Sequence, residues 1–282
     1  MTVPIAPLMI ADAQVHIWRA STPERPWPSG TRPHRAEPLG QDELLEKMNE
    51  AGVARAILVP PRIEGGRNDL SLEAASAHPD RFAVMGKLDQ DAPDAREKLA
   101  TWRDHPGMLG LRFILKHALQ PLLTDGRMDW VWREAEQAAL PVYVSIVQSN
   151  AHRIGEVAGR HPGLRLVLDH LAIASDKQKD EQAFGGLDNV LALAKHPNVA
   201  VKVTTMPNYT IDVYPYRRLH PYLQRVYAAF GPRRMFWGSD LSRLRGSYRQ
   251  CVTMFTEEMP WLSRADLEWI MGRGLCEWLG WR

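Results

Sequence analysis

Asp12-Ala13-Gln14-Val15-His16 is the stretch on which the reading of this chain turns. Side chains alternate between the faces of an extended strand, so Asp12, Gln14 and His16 are expected to point one way and line one cavity. An Asp-x-His-x-His version of the strand would present two imidazoles to a Zn²⁺ ion. With Gln14 in the first position, only His16 remains.

Outward from this strand, short apolar or β-branched runs recur at residues 9–17, 54–60, 82–88, 108–115, 142–147, 164–170, 199–205 and 235–240. Helix-like stretches fall between and after them, at 42–51, 70–77, 94–102, 129–139, 153–160, 187–194, 218–230 and 264–279. Eight strands alternating with eight helices predict a (β/α)₈ TIM barrel, one domain over residues 1–282. Several helices stop at His-Pro, as in Ala77-His78-Pro79, Arg160-His161-Pro162 and Lys195-His196-Pro197. Proline cannot continue a helix, so His78, His161 and His196, with His105, are assigned to helix ends on the barrel's N-terminal face. Chemistry belongs at the opposite face, where strands run into the following loops.

Those strand ends are rich in polar groups: His16, Arg62, Arg112, Lys116, Tyr143, Ser145, Gln148, Asp169, His170, Lys202, Thr204, Ser239 and Asp240. The Pro-rich segment 19–40 is too long for a simple connector and is expected to fold over the barrel mouth.

Lys and Arg total 35 against 33 Asp and Glu, a formal charge of +2, which gives no field to attract nucleic acid or an anionic membrane. The two cysteines, Cys251 and Cys276, have no metal or disulfide spacing and suit a reducing compartment. No apolar run reaches the roughly 20 residues of a membrane span, and residues 1–9 lack the features of a signal peptide. A cytoplasmic location is the expectation. The aromatic C-terminus, with Trp269, Trp278 and Trp281, is expected in the core or in a homo-oligomer interface.

Five motifs lie in order at strand ends: Asp12-Ala13-Gln14-Val15-His16-Ile17-Trp18, Gly110-Leu111-Arg112-Phe113, Leu166-Val167-Leu168-Asp169-His170, Val201-Lys202-Val203 and Phe236-Trp237-Gly238-Ser239-Asp240. With them the chain resembles, over nearly its whole length, the amidohydrolase-related barrels. The likeness is greatest to the branch containing 2-pyrone-4,6-dicarboxylate lactonase and other lactone hydrolases. In metal-dependent members, the resemblance implies, the paired histidines of the first strand, histidines of the fifth and sixth, and the aspartate of the eighth surround one or two ions. This chain departs twice, at Gln14 and at a fifth strand that offers Tyr143, Ser145 and Gln148 but no histidine. An amide oxygen is a poorer zinc ligand than imidazole. The expectation is therefore hydrolysis without a metal cofactor, with Zn²⁺ or Mn²⁺ held by His16, His170 and Asp240 as the alternative.

Carried onto these positions, the resemblance implies that Asp240 is the general base for water, with a pKa raised by a partly desolvated pocket, while His16 and His170 donate to the carbonyl oxygen of a small cyclic ester. Arg112 would hold a carboxylate or carbonyl, since its planar fork suits one. Gln14, Tyr143, Ser145, Lys202, Arg62 and Arg217 are the candidate contacts to a small, anionic substrate. Asp12 is read as orienting His16 or a loop backbone rather than touching substrate, while Tyr216 and Arg243 are weaker candidates. Two other readings compete: a metal-dependent hydrolase or decarboxylase of the same superfamily, and a barrel without catalysis that binds a small anion.

Overall fold

A computed structural model describes residues 7–282. Eight strands form one parallel sheet in sequential order: β1 Ala11–Val15, β2 Arg55–Leu58, β3 Phe82–Gly86, β4 Met108–Ile114, β5 Val142–Ser145, β6 Leu166–Leu168, β7 Val199–Thr204 and β8 Met235–Gly238. Helices separate them, and the Asp240 N–H donates to the Gln14 carbonyl oxygen at 2.9 Å, bringing the end of β8 to β1 in a nearly closed barrel. This is the expected TIM-barrel architecture, each strand slightly shorter than its apolar run. Among the described residues two α-helices were not anticipated, Asp180–Phe184 and Tyr248–Thr256. The second follows β8 and is entered through a capping box, in which Ser247 and Gln250 satisfy each other's backbone N–H groups.

Period-two alternation sorts the strand residues into two packed layers. Val199, Val201 and Val203 of β7, like Val142 and Val144 of β5, pack outward in the layer under the helices. Ala200, Tyr143, Val167, Met85 and Phe236 fill the barrel interior with Leu275, Leu279 and Trp281 of the C-terminal segment. Trp281 is thus buried with the interior cluster, the core alternative of the two expected for the aromatic C-terminus. By the same parity Lys202, Tyr143 and Ser145 point inward.

β1 breaks the alternation. Ala11 and Ala13 pack with the interior, yet Val15 packs with the outer layer, and the β1/β2 register shifts between Asp12 and Val15. A side-chain bond accounts for the shift: Asp12 Oδ1 accepts the Gln14 N–H at 2.9 Å, a local turn that competes with the ladder. The expectation that Asp12 shares a face with Gln14 and His16 is therefore corrected.

No helix among the described residues is long and apolar enough to cross a membrane. Cys251 and Cys276 are both free and buried.

Candidate active site

A cavity of about 370 Å³ opens at the C-terminal ends of the strands. Gln14, His16, Arg62, Arg112, Ser145 and His170, all expected from the sequence, line it together with His34, Lys116, Asp176, Tyr209 and Arg243. A second space of about 460 Å³ adjoins it, sharing His34, Arg62 and Arg243 and adding Gly30, Thr31 and Arg32 of the 19–40 segment.

Beneath the cavity lies a buried polar floor. Lys202, with no exposed surface, reaches Asp169 Oδ1 at 2.7 Å and donates to Gln14 Oε1 at 2.5 Å, its ammonium 3.8 Å from the centre of the Tyr143 ring. Arg112 Nε donates to the other Asp169 oxygen at 3.0 Å. Burial would raise the Asp169 pKa, but Lys202 and Arg112 outweigh it and hold the carboxyl well below its ordinary value. Burial lowers the Lys202 ammonium to about 8, against the pull of Asp169. Lys202 and Tyr143, expected to touch substrate, line neither space at the mouth and instead support the groups that do.

Lys202 can only donate, which fixes the orientation of the Gln14 amide. Its nitrogen then points to both histidines, 3.1 Å from His170 Nε2 and 3.3 Å from His16 Nε2. On the far side of His16, Nδ1 lies 2.5 Å from the Val59 carbonyl oxygen, which can only accept. His170 Nδ1 lies 2.6 Å from Thr204 Oγ1. Each neutral ring thus carries its proton on Nδ1 and turns the lone pair of Nε2 inward. Burial lowers the pKa of His16 to about 3 and of His170 to about 4, despite the pull of Asp240, so both are neutral at pH 7. In that state neither offers an N–H to a carbonyl oxygen, the role expected of them from the resemblance.

Asp240 sits just behind the cavity wall, 1% exposed. Its Oδ1 is 3.2 Å from His16 Nε2, its Oδ2 is 3.9 Å from His170 Nε2, and Thr205 donates to Oδ2 at 3.4 Å. Burial favours the neutral acid, but His16, His170 and Arg243 prevail and lower the pKa to about 2, opposite to the rise expected. His170 (φ 53°) and Asp240 (φ 50°) both have left-handed backbones, as do their neighbours Leu171 and Ala172. Such conformations are costly for residues other than glycine, and they hold these two side chains at the ends of β6 and β8.

Asp12 is fully buried away from the cavity. Besides the Gln14 N–H it accepts the Ser239 N–H at 2.9 Å, the Ser239 hydroxyl, and the Tyr248 hydroxyl at 2.7 Å. It therefore ties β1, the end of β8 and the following helix together. Gly238 makes room for this: a Cβ there would come within 2.8 Å of Asp12 Oδ1 and 2.6 Å of Thr204 Cγ2. Arg217 is not brought to the site, its side chain being 76% exposed with Glu258 at 4.0 Å. Tyr216 is buried beside Arg245 and lines neither space.

Sequence reasoning missed His34. The 19–40 segment is anchored at both ends, by Trp18 N–H to the Leu39 carbonyl at 3.1 Å and by Arg25, which pairs with Glu64 at 2.6 Å and Asp69 at 2.7 Å. This brings the His34 ring edge-on to His16, with centroids 5.3 Å apart, and its Nδ1 to 2.8 Å from Ser242 Oγ. Ligand atoms of His16, His34 and Asp240 lie within 4.8 Å of one another. Asp240 Oδ1 has no hydrogen-bond donor among the described residues and lies 3.2 Å from His16 Nε2, whose other neighbour is the Gln14 amide at 3.3 Å, so two acceptors meet where a cation would satisfy both. The donor set thus fits a divalent ion.

The amidohydrolase family model matches residues 11–273, and the chain belongs to that family. It is an enzyme of the hydrolase class. It is 27% identical over 250 residues to an L-fucono-1,5-lactonase of Burkholderia ambifaria, covering 84% of this chain and 82% of the relative. It is 24% identical over 235 residues to a 4-sulfomuconolactone hydrolase of Hydrogenophaga intermedia, covering 81% and 73%. Among solved structures, an amidohydrolase from Burkholderia multivorans with bound zinc superposes with a TM-score of 0.81 at 22% identity, over 96% of this chain and 99% of that one. The resemblance read from the five strand-end motifs is borne out.

Proposed function

We propose that this protein hydrolyses a small lactone bearing an anionic group. The observation that carries the reading is the juxtaposition of an ionised Asp240, paired with neutral His16, and a mouth lined with Arg62, Arg112, Lys116 and Arg243. Arg243 is paired with Asp176 and Arg112 with Asp169, while Arg62 and Lys116 have no carboxylate partner among the described residues. A substrate carboxylate or sulfonate would fill that lack. Two lactone hydrolases among the relatives support the ester chemistry.

In this reading the lactone carbonyl oxygen points to Arg112, whose terminal nitrogens have no acceptor among the described residues while Nε is held by Asp169. Water attacks the carbonyl carbon and its proton passes to Asp240. A carboxylate with a pKa near 2 is a weak base alone, but the unprotonated His16 Nε2 at 3.2 Å lets the pair share the proton. Arg112 stabilises the tetrahedral oxyanion. The ring C–O bond then breaks, the shared proton passes to the leaving alkoxide, and the product is the open hydroxy acid. Gln14 and the Val59 carbonyl orient His16, and burial keeps it neutral. A divalent ion held by His16 and Asp240 would, when bound, polarise the carbonyl and acidify water.

The test is a panel of carboxylated, sulfonated and neutral sugar lactones, assayed by acid release. Asp240→Asn is expected to lower kcat by about 10²–10⁴-fold. Full turnover in that variant would sink the proposed base.

A further inference from the structure

We infer that His34, carried over the mouth by the 19–40 segment, is the third ligand of a divalent-metal site completed by His16 and Asp240, supplying what Gln14 does not and what His170, engaged by Gln14, is not free to give. The inference rests on the geometry of the proposed active site but not on its substrate.

His170, the third ligand anticipated from the sequence, has both nitrogens engaged. Its Nδ1 bonds Thr204 and its Nε2 accepts the Gln14 amide, which Lys202 prevents from turning over. Gln14 thus occupies the lone pair that a metal would need. Its contact with His16 is the longer of the two, 3.3 Å, and His16 Nε2 stands closer to Asp240 Oδ1, at 3.2 Å. His34 lies beside His16, with ring centroids 5.3 Å apart, and offers the remaining ligand atom.

Three independent features mark that side as built for a cation. Asp240 Oδ1 is buried and lacks a donor. His16 and His34 each have Nδ1 engaged by an outer partner, the Val59 carbonyl and the Ser242 hydroxyl, the arrangement that directs Nε2 of a ligating histidine at its metal. The ligand atoms of all three residues lie within 4.8 Å of each other. Two imidazoles and one carboxylate suit zinc, and three protein ligands leave a position open for water or substrate. Since His34 belongs to the covering segment, ion binding would also fasten that segment over the cavity.

The contrasting account is that His34 only packs edge-on against His16 and Trp18. Equilibrium dialysis of chelator-treated protein against Zn²⁺, with visible absorption of the Co²⁺ form, separates the two. The wild type is expected to bind one equivalent. His34→Ala should weaken binding by more than tenfold and abolish the Co²⁺ bands, Ser242→Ala should weaken it by about tenfold, and His170→Asn should leave it unchanged. Zn²⁺ should slow proteolysis within 19–40 in the wild type but not in His34→Ala. His34 is exposed, and melting of the metal-free proteins checks that the variant folds. Wild-type protein that takes up no ion, His34→Ala that binds as the wild type does, or His170→Asn that loses the ion would each overturn the inference. Lactone turnover by the metal-free wild type is measured in parallel. Turnover without any ion binding removes the metal site and leaves the lactonase reading, whereas ion binding without turnover on any lactone does the reverse.

Discussion

The floor and the rim of the site are built by opposite means. On the floor, Lys202, Asp169, Arg112, Gln14 and His170 project from strands or their ends and bond mainly to one another, each buried and polar. On the rim, His34, Arg62, Lys116 and Arg243 come from loops or single 3₁₀ turns, and two of these four cations or potential cations, Arg62 and Lys116, have no partner among the described residues. A buried, mutually bonded network on rigid strands holds geometry, while unpaired charge at the loops is what a ligand can exploit. The contrast assigns orientation of the reacting groups to the floor and choice of substrate to the rim.

The strongest way to break the comparison is to remove the floor's central cation. Lys202→Met leaves Asp169 buried with Arg112 alone and frees the Gln14 amide, and it is expected to cost about 3–5 kcal/mol of stability. Chemical denaturation measures this, and a variant as stable as the wild type would show that the floor is not a coupled unit.

A smaller effect is expected from pH. His16 and His170 titrate near 3 and 4, so kcat/KM should be flat from about pH 5 to neutrality. As pH rises through about 8 the Lys202 ammonium loses its proton and its hold on Gln14 Oε1 weakens, so activity should fall on the alkaline side. An acid limb near 6.5 would mean that one imidazole works in its protonated form.

The least drastic change is at the rim. Arg62→Ala is expected to raise KM for an anionic lactone by about tenfold with little effect on kcat, while leaving a neutral lactone unaffected. Equal losses on both substrates would move Arg62 from recognition to general support of the loop. Arg217→Ala, outside the site, is the control.

Much of this was legible along the chain because it depends on neighbours. All eight strands lie within their apolar runs, and His16, Arg112, Ser145, His170 and Asp240 converge on one end of the barrel because the topology sends every strand end there. Misreadings came where a contact overrode periodicity. Asp12 left the face of Gln14 because its carboxylate captured the Gln14 N–H, and nothing in a two-residue alternation announces that bond. Arg217 was expected to touch substrate, but its turn carries it into solvent. The helix Tyr248–Thr256 was overlooked, although Ser247 and Gln250 form the capping pattern that could have revealed it.

By itself, the sequence determined the barrel, the face that carries the chemistry and the loss of an imidazole at position 14, since alternation, helix stops and residue identity are all local properties. The tertiary structure decided what fills that loss. Fixing the Gln14 amide takes Lys202 from β7, and seating His34 beside His16 and Asp240 takes a loop anchored on Glu64, Asp69 and Ser242. Those partners meet only once the barrel closes, because a contact between residues 34 and 242 is set by the path of the whole chain rather than by the residues beside either one.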